Sequence, residues 1–215
     1  EDKLAALAKE LSAGAAVVKY YVADMTNSDQ VRAAHAAMVK DLGAVDVYIA
    51  NAGTYKPADP KTFSAAEYES TMTLNYGGTL KGMEAVLPAM IERRAGMIVG
   101  VSSLVGYRGL PRSWPYGATK AAINNFLEGF RFDVERYGLD VVIVNPGFVK
   151  TPLTDLNDFE MPFLVTADVA AEHIVAGIRA RKREVHFPWQ LSIPSKILRV
   201  LPYFIYHAIA RKLNK

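Results

Sequence analysis

Short apolar runs alternate with helical patterns along this chain, and that alternation is what most limits the folds open to it. Apolar residues that recur three and four positions apart predict helices, and clustered β-branched residues predict strands. The predicted helices span 2–13, 28–42, 64–94, 115–137 and 166–179, and the predicted strands span 16–23, 45–50, 97–102, 141–145 and 185–187. Strands that alternate with helices favour an α/β fold, with a parallel sheet covered by helices on both faces.

The composition excludes several classes of protein. The 215 residues suit one domain, and a hydrophobic content of 51% with 22% charged residues excludes a disordered or collagen-like chain. The absence of cysteine excludes disulfides, thiolate metal sites and cysteine nucleophiles. No uncharged apolar stretch reaches the length of a membrane-spanning helix, and no signal peptide follows Glu1. We therefore expect a cytoplasmic location, with membrane association left open.

The net charge of +3 conceals a basic C-terminal end. Residues 177–215 contain nine Lys or Arg and a single acidic residue, Glu184. The tail 189–215 is also rich in apolar residues, and Pro202 should interrupt any helix there. Three roles remain open for it: packing on the core or on a second subunit, covering a pocket, or peripheral membrane contact through 196–215. No recognition motif accompanies the charge, so we expect no nucleic-acid binding.

Polar and glycine residues follow four of the predicted strands. They are Asp24, Asn51-Ala52-Gly53, Ser102-Ser103 and Asn145-Pro146-Gly147. In a parallel sheet, ligands bind beyond the carboxyl ends of the strands. The pattern therefore predicts where a site lies, without indicating its chemistry.

Tyr116 and Lys120 lie four residues apart and so share one face of a helix. Such a pair arises by chance about once in a chain of this composition, and a tyrosine ring packed under a lysine stem would explain it. Ser103 at a strand end and Asn75 in the middle of a predicted helix favour a chemical role instead. An ammonium within about 4–6 Å would lower the pKa of a tyrosine, and the hydroxyl would then exchange protons more readily.

Together these motifs resemble the short-chain dehydrogenase/reductase family. They occur in the family's order and cover the chain to about Pro188: Asp24; Asn51-Ala52-Gly53; Asn75; Ser103; Tyr116-Gly117-Ala118-Thr119-Lys120; and Asn145 to Thr151. The resemblance implies a Rossmann-like, doubly wound parallel sheet. It also implies an NAD(P)-dependent oxidoreductase that transfers a hydride between nicotinamide and a carbonyl or alcohol, with 1–215 as one N-terminally incomplete dinucleotide-binding domain.

The resemblance also implies roles for single residues. Tyr116 would be the general acid/base, and Lys120 would hold the nicotinamide ribose and lower the pKa of Tyr116. Ser103 would hydrogen-bond the substrate carbonyl, and Asn75 would bind a water for proton relay. The implied cofactor-binding residues are Asp24 and Met25 at the adenine, Asn51, Ala52 and Gly53 along the adenosine, Tyr116 and Lys120, and Pro146, Gly147, Val149 and Thr151 at the nicotinamide.

The family's glycine-rich loop, Thr-Gly-x-x-x-Gly-x-Gly, does not occur in this sequence. It would lie roughly 30–40 residues before Glu1, together with the family's first two strands. Those strands lie between the strand that ends at Asp24 and the strand that ends at Asn51. We therefore expect a gap in the sheet and interpret the sequence as an incomplete copy of the working protein. The residues that select NAD or NADP lie in the same part, and we favour NADP as the commoner cofactor of the family's reductases.

The 152–165 segment takes the place of the family's substrate loop. Its apolar residues favour a lipophilic substrate, although they would equally suit packing on the domain: Leu153, Leu156, Phe159, Met161, Pro162 and Phe163. Four residues before Tyr116 would line the substrate entrance or form a plain ordered loop: Tyr107, Arg108, Arg112 and Trp114. The four histidines have no partner at ligand spacing, so we expect no metal.

Two further functions compete with the redox enzyme. One is a non-catalytic dinucleotide-binding sensor or scaffold, against which the intact set of Asn75, Ser103, Tyr116 and Lys120 argues. The other is epimerase or dehydratase chemistry, which the short segment after Thr151 disfavours. The resemblance also implies a homodimer or homotetramer, formed through the helices that contain Asn75 and Tyr116.

Overall fold

The computed structural model describes residues 1–14 and 16–212. Within them, four strands form one sheet: Val47–Ala50 (β1), Gly96–Val101 (β2), Leu139–Pro146 (β3) and Glu184–Phe187 (β4). The helices are Asp2–Leu11 (α1), Ser28–Leu42 (α2), Ala65–Met72 (α3), Gly78–Glu92 (α4), Trp114–Glu135 (α5), Ala167–Arg179 (α6), Trp189–Val200 (α7) and Tyr203–Lys212 (α8). Neighbouring strands are parallel, in the order β1-β2-β3-β4. The predicted α/β fold with a parallel sheet is confirmed.

The two faces of the sheet bury separate apolar clusters. Successive residues of β2 illustrate this, because Ile98 packs with α4 and α5 on one face and Val99 packs with α6 on the other. Gly100 permits close approach of α5, since a Cβ built there would lie 2.2 Å from Leu127 Cδ1. The central strands β2 and β3 are therefore covered on both faces, as their continuous apolar sequences predict, whereas Val47 and Ile49 on one face of β1 are exposed.

The strand predicted at 16–23 is wrong. Residues 16–24 form no strand, and Val17 and Val22 are exposed. A strand needs a neighbour to share its backbone hydrogen bonds, and no described strand pairs with this segment. Side chains hold it instead: Lys19 Nζ and the Tyr21 hydroxyl each lie 2.9 Å from Asp41 Oδ2 on α2.

The helix predicted over 64–94 is divided into α3, a π-helical turn at Thr73–Gly77, and α4. Ser64 caps the first part, where its hydroxyl accepts a hydrogen bond from the backbone N–H of Glu67. Each turn of a π-helix contains an additional residue, and such turns are frequent at functional sites. Asn75 lies at the centre of this one and is fully buried.

The tail folds as α7 and α8, which are separated at Pro202. The amine of Lys196 lies 2.6 Å from Glu184 Oε2, and Arg199 forms an ion pair with Glu128 on α5. Packing on the core, one of the three roles expected of the tail, is therefore observed. Residues 213–215 of the predicted tail lie outside the described residues. None of the described helices is long and apolar enough to cross a membrane.

Candidate active site

Nine of the predicted site residues line one cavity. It has a volume of about 240 Å³ and lies at the carboxyl ends of β1, β2 and β3. The nine residues are Asn51, Gly53, Ser103, Tyr116, Lys120, Pro146, Gly147, Val149 and Thr151. The residues that follow three separate strands therefore meet at one edge of the sheet, as expected for a parallel α/β fold.

Lys120 lies inside this cavity on α5, one turn after Tyr116. Its ammonium donates a hydrogen bond of 2.8 Å to the carbonyl of Val101, the last residue of β2. The side chain is buried, and burial lowers the pKa of Lys120 to about 8. A Cβ built on Gly53 would lie 3.7 Å from Lys120 Nζ, so a glycine here keeps the space beside the ammonium open. The cavity thus contains a cationic donor whose charge is lost at a moderately alkaline pH.

Tyr116 lies on α5 and lines the cavity, and its ring centroid lies 5.5 Å from Lys120 Nζ. Burial raises the pKa of Tyr116 to about 12, and the neighbouring Ser103 hydroxyl lowers it by a smaller amount. Lys120 is not among the groups that shift this pKa in the structure, so the lowering expected from Lys120 stays a prediction. The cost of ionising a buried phenol dominates, while the lysine ammonium is engaged with a backbone carbonyl. In this environment Tyr116 is held protonated and suits the role of proton donor.

Ser103 follows β2 and faces the same space. Its hydroxyl lies 3.4 Å from the Pro146 carbonyl, to which it donates, and 3.4 Å from the Val105 N–H, from which it accepts. Both hydrogen bonds are long, which leaves the hydroxyl free to exchange them for a stronger acceptor. The adjacent Ser102 hydroxyl donates to the Lys120 carbonyl at 2.8 Å and so fixes α5 against the end of β2.

The amide of Asn75 is occupied by protein groups. Oδ1 accepts from the N–H of Thr54 at 2.8 Å, and Nδ2 donates to the Thr54 carbonyl and to Thr119 Oγ1, each at 3.0 Å. A Cβ on Gly53 would lie 3.3 Å from Asn75 Oδ1. Asn75 therefore connects the segment after β1 to α5 and positions both. Its role as a water ligand stays a prediction.

Three predicted cofactor residues do not line the cavity: Asp24, Met25 and Ala52. The carboxylate of Asp24 accepts from the Thr26 N–H and hydroxyl, both at 2.8 Å, and these bonds hold its pKa below its ordinary value. Met25 packs where α4 begins, since a Cβ on Gly78 would lie 3.2 Å from Met25 Cβ. Asp24 and Met25 thus lie away from the reacting groups, on the side of the π-helical turn, and their contact with an adenine stays a prediction.

A second, apolar cavity adjoins the first. Ser103, Tyr116, Gly147, Leu153 and Thr154 line both cavities. The other residues that line the apolar cavity are Tyr55, Leu104, Val105, Leu110, Ser113, Phe148, Asn157, Phe159, Leu191 and Ser195.

Two contributions to the apolar cavity were missed from the sequence. Tyr55 is the first, although its position four residues after Asn51 at a strand end was an available signal. Leu191 and Ser195 of α7 are the second, and through them the tail forms one wall of the cavity. The tail therefore also covers a pocket, which was another of the three roles expected of it.

Neither cavity is lined by the four residues that were expected at a substrate entrance or in a plain ordered loop. Leu110 and Ser113, from the same segment, line the apolar cavity in their place. Each of the four contacts another residue instead. Tyr107 contacts Glu184, Arg108 contacts Tyr206, Arg112 contacts Asp158, and Trp114 contacts Phe63. The entrance interpretation stays a prediction, and Arg112 lies nearest to such a place, because it pairs with Asp158 and lies over Phe159, which lines the apolar cavity.

Within residues 1–14 and 16–212, no group of three or more His, Asp or Glu side chains is arranged to hold a metal ion. Three of the four histidines, His173, His186 and His207, contact other side chains. Among them, His186 Nδ1 lies 2.8 Å from the Ser192 hydroxyl, and His173 stacks on Phe187.

Comparison with known proteins identifies the family. A family model described as short chain dehydrogenase matches residues 1–160. An uncharacterized oxidoreductase of Myxococcus xanthus is 37% identical over 212 residues, which are 99% of this chain and 84% of the relative. The 17-beta-hydroxysteroid dehydrogenase 13 of Homo sapiens is 32% identical over 190 residues, which are 85% of this chain and 62% of the relative.

A solved structure agrees in fold. Gluconate 5-dehydrogenase from Burkholderia cenocepacia, in complex with NADP and tartrate, aligns with a TM-score of 0.79 and 24% identity. The alignment covers 89% of this chain and 82% of that one. The family match, the two relatives and the fold agree with the residues gathered at the strand ends. The chain belongs to the short-chain dehydrogenase family of NAD(P)-dependent oxidoreductases.

Proposed function

We propose that this protein interconverts a lipophilic carbonyl and the corresponding alcohol, with Tyr116 as general acid/base. One observation carries the proposal: Tyr116 and Ser103 line both the polar cavity and the apolar cavity. A carbonyl in the apolar cavity would therefore meet two hydroxyl groups at the boundary with the polar cavity.

The cofactor proposed for the polar cavity is NADP, with NAD as the alternative. The residues present fit the nicotinamide half, because Gly53 leaves room beside Lys120, and Pro146, Gly147, Val149 and Thr151 form the facing wall. The gluconate dehydrogenase with the same fold was solved with NADP, which favours the phosphorylated form. When bound, the nicotinamide would supply or accept the hydride.

The chain's own residues would manage charge and protons. In reduction, negative charge grows on the carbonyl oxygen, and the hydroxyls of Tyr116 and Ser103 would both donate to it. Burial keeps Tyr116 protonated at neutral pH, so its proton is available for transfer to that oxygen. Lys120 is cationic below a pH of about 8 and would stabilise the phenolate that Tyr116 leaves behind.

The substrate class follows from the apolar cavity. Seven of its fifteen lining residues have aliphatic or phenylalanine side chains: Leu104, Val105, Leu110, Phe148, Leu153, Phe159 and Leu191. Such a wall favours an apolar ligand with few polar groups. The human relative is named a hydroxysteroid dehydrogenase, which agrees with a lipophilic substrate class.

The test of this proposal is Tyr116→Phe in the complete protein. The variant should lose at least about a hundredfold in turnover of an apolar ketone, since one general acid contributes that much. Its affinity for NADPH, measured by fluorescence titration, should be unchanged. Ser113→Ala, in the same cavity but without a proposed chemical role, is the matched control. Near-normal turnover by Tyr116→Phe would reject the assignment.

A non-catalytic sensor of the same fold is the competing function. It would bind NADPH or NADH with ordinary affinity yet turn over none of a panel of apolar ketones and secondary alcohols. The proposed enzyme would turn over at least one of them, so the panel separates the two functions.

A homo-oligomer is also proposed, through the helices that contain Asn75 and Tyr116. On α5, the helix of Tyr116, Phe132 exposes 74% of its surface, which supports this face as an interface. Sedimentation velocity should therefore show a smaller species for Phe132→Ser than for the native chain.

A further inference from the structure

One face of α7 is apolar and turned toward solvent. Trp189, Ile193, Ile197 and Val200 recur at spacings of four, four and three, which places them on one side of the helix. Their surfaces are 70%, 45%, 54% and 77% exposed. An apolar stripe that remains exposed on a packed helix marks an interaction surface.

The opposite face of the same helix meets the protein. Ser192 is fully buried, and Leu191 and Ser195 line the apolar cavity beside Tyr116. The outer face of α7 therefore carries the exposed stripe, and its inner face forms part of the wall of the apolar cavity.

Two aromatic residues at the start of α8, Tyr203 and Phe204, are likewise 70% and 75% exposed. The resulting surface, here called the tail patch, consists of Trp189, Ile193, Ile197, Val200, Tyr203 and Phe204. Half of these side chains are aromatic. Trp and Tyr are enriched where proteins meet the interface between a membrane and water.

The tail's own charged residues are all basic. From residue 189 onward the sequence contains five Lys or Arg and no acidic residue. Lys196 and Arg199 are paired with Glu184 and Glu128, whereas Arg211 and Lys212 lie exposed at the end of α8. A second copy of this chain would bring the same positive charges together across a symmetric interface, which disfavours that occupant. An anionic surface would complement them.

We propose that the tail patch docks the protein peripherally on an anionic lipid bilayer. Its apolar side chains would enter the headgroup region, and Arg211 and Lys212 would lie near the lipid phosphates. Because Leu191 and Ser195 belong to the same helix, docking would place the apolar cavity next to the bilayer. A lipophilic substrate would then reach it without crossing bulk water; this consequence, unlike the docking itself, rests on the proposed function.

The experiment is co-sedimentation of the complete protein with vesicles of phosphatidylcholine alone or with about 30 mol % phosphatidylglycerol. Native protein should bind the anionic vesicles more tightly, and raised salt should weaken binding. Ile193→Ser with Ile197→Ser should lower the partition constant at least about tenfold, because two exposed isoleucines no longer enter the interface. Arg211→Gln with Lys212→Gln should lower it about tenfold on anionic vesicles only. Val175→Ser, at an exposed valine on α6, is the matched control and should bind like the native protein.

Three outcomes would overturn the proposal: no binding of native protein to anionic vesicles, equal loss in Val175→Ser, or a smaller sedimenting species for the isoleucine variant. The last would identify a second copy of the chain as the occupant. Turnover of a water-soluble ketone should be unchanged in every tail variant. Binding without any ketone turnover would reject the proposed function and leave the docking proposal supported.

Discussion

The rings of Tyr55 and Tyr116 meet edge to face, with their centroids 5.3 Å apart and their planes at 73°. Tyr55 is buried, and its hydroxyl donates to Asn157 Oδ1 at 2.9 Å. Asn157 belongs to the 152–165 segment, which the sequence analysis predicted to be the substrate loop. A single side chain therefore connects the proposed proton donor to that loop.

This contact predicts a graded response at position 55. Tyr55→Ala removes both the ring contact and the hydrogen bond, and we expect kcat/KM for an apolar ketone to fall by about fivefold, because an aromatic pair is worth about 1 kcal/mol. Tyr55→Phe keeps the ring and should retain kcat, with a higher KM because the loop is held less firmly. Steady-state kinetics with NADPH measures both. Equal losses in the two variants would show that the hydroxyl, not the ring, supports Tyr116.

Two buried asparagines should respond oppositely to replacement by leucine. Asn75→Leu leaves the N–H and carbonyl of Thr54 without their partners, and should lower the free energy of unfolding by about 2–4 kcal/mol. Asn124 is also buried, but neither of its side-chain polar atoms has a partner among the described residues. Asn124→Leu should therefore leave stability unchanged or raise it. Urea unfolding compares the two, and a similar loss at both positions would contradict the assignment of Asn75 as a positioning residue.

The buried ammonium of Lys120 predicts a pH dependence of stability. Burial lowers its pKa to about 8 from 10.5, so the folded protein binds this proton less tightly than the unfolded chain does. The buried charge therefore lowers the free energy of unfolding, and this loss is complete below a pH of about 8. As the pH rises toward 10.5, the folded protein releases the proton and recovers about 3 kcal/mol in total. Relative to Lys120→Met, the native protein should gain that amount between pH 7 and 10.5. Urea midpoints at several pH values test this, and parallel pH curves for the two proteins would exclude it.

Glu184 predicts a response to acid in the tail. Burial acts to raise the pKa of this carboxyl, but hydrogen bonds from Lys196 and Tyr107 outweigh it and lower the pKa overall. The ionised Glu184 therefore stabilises the fold fully at a pH above the ordinary pKa of glutamate. This stabilisation is lost as the pH falls through the lower pKa that Glu184 has in the folded protein. Below about pH 4, α7 should exchange its amide hydrogens faster.

Lys196→Met should produce that loosening at neutral pH as well. Because Leu191 and Ser195 line the apolar cavity, we expect a severalfold rise in KM for an apolar ketone with little change in kcat. Arg211→Gln, in the same tail but without this ion pair, is the control. Unchanged hydrogen exchange of α7 in Lys196→Met would show that other contacts hold the helix.

The sequence predicted what depends on local periodicity. The alternation of strands and helices and the four-residue spacing of Tyr116 and Lys120 are properties of neighbouring residues. The strand predicted at 16–23 failed because a strand also depends on a partner distant in sequence. The π-helical turn at Asn75 was also missed, and the residues that its side chain binds, Thr54 and Thr119, lie far from it in sequence.

The site was predicted in part. The polar residues at the strand ends were found because the topology of a parallel sheet gathers them at one edge. The raised pKa of Tyr116 was not, because it follows from burial of the phenol, and a residue that packs on this ring, Tyr55, is far away in sequence. The wall that α7 adds to the apolar cavity depends on how the tail folds back, which no local pattern encodes.

The carboxylate of Glu184 receives hydrogen bonds from Tyr107, from Asn145 on β3 and from Lys196 on α7. Three regions of the chain are thus joined at one point, and only Lys196 comes from the tail. Two more side-chain contacts attach the tail, from Arg199 to Glu128 and from Ser192 to His186. A different helix pair that kept these three contacts could be grafted after β4, which would reshape the apolar cavity while Tyr116, Lys120 and Ser103 stay where they are.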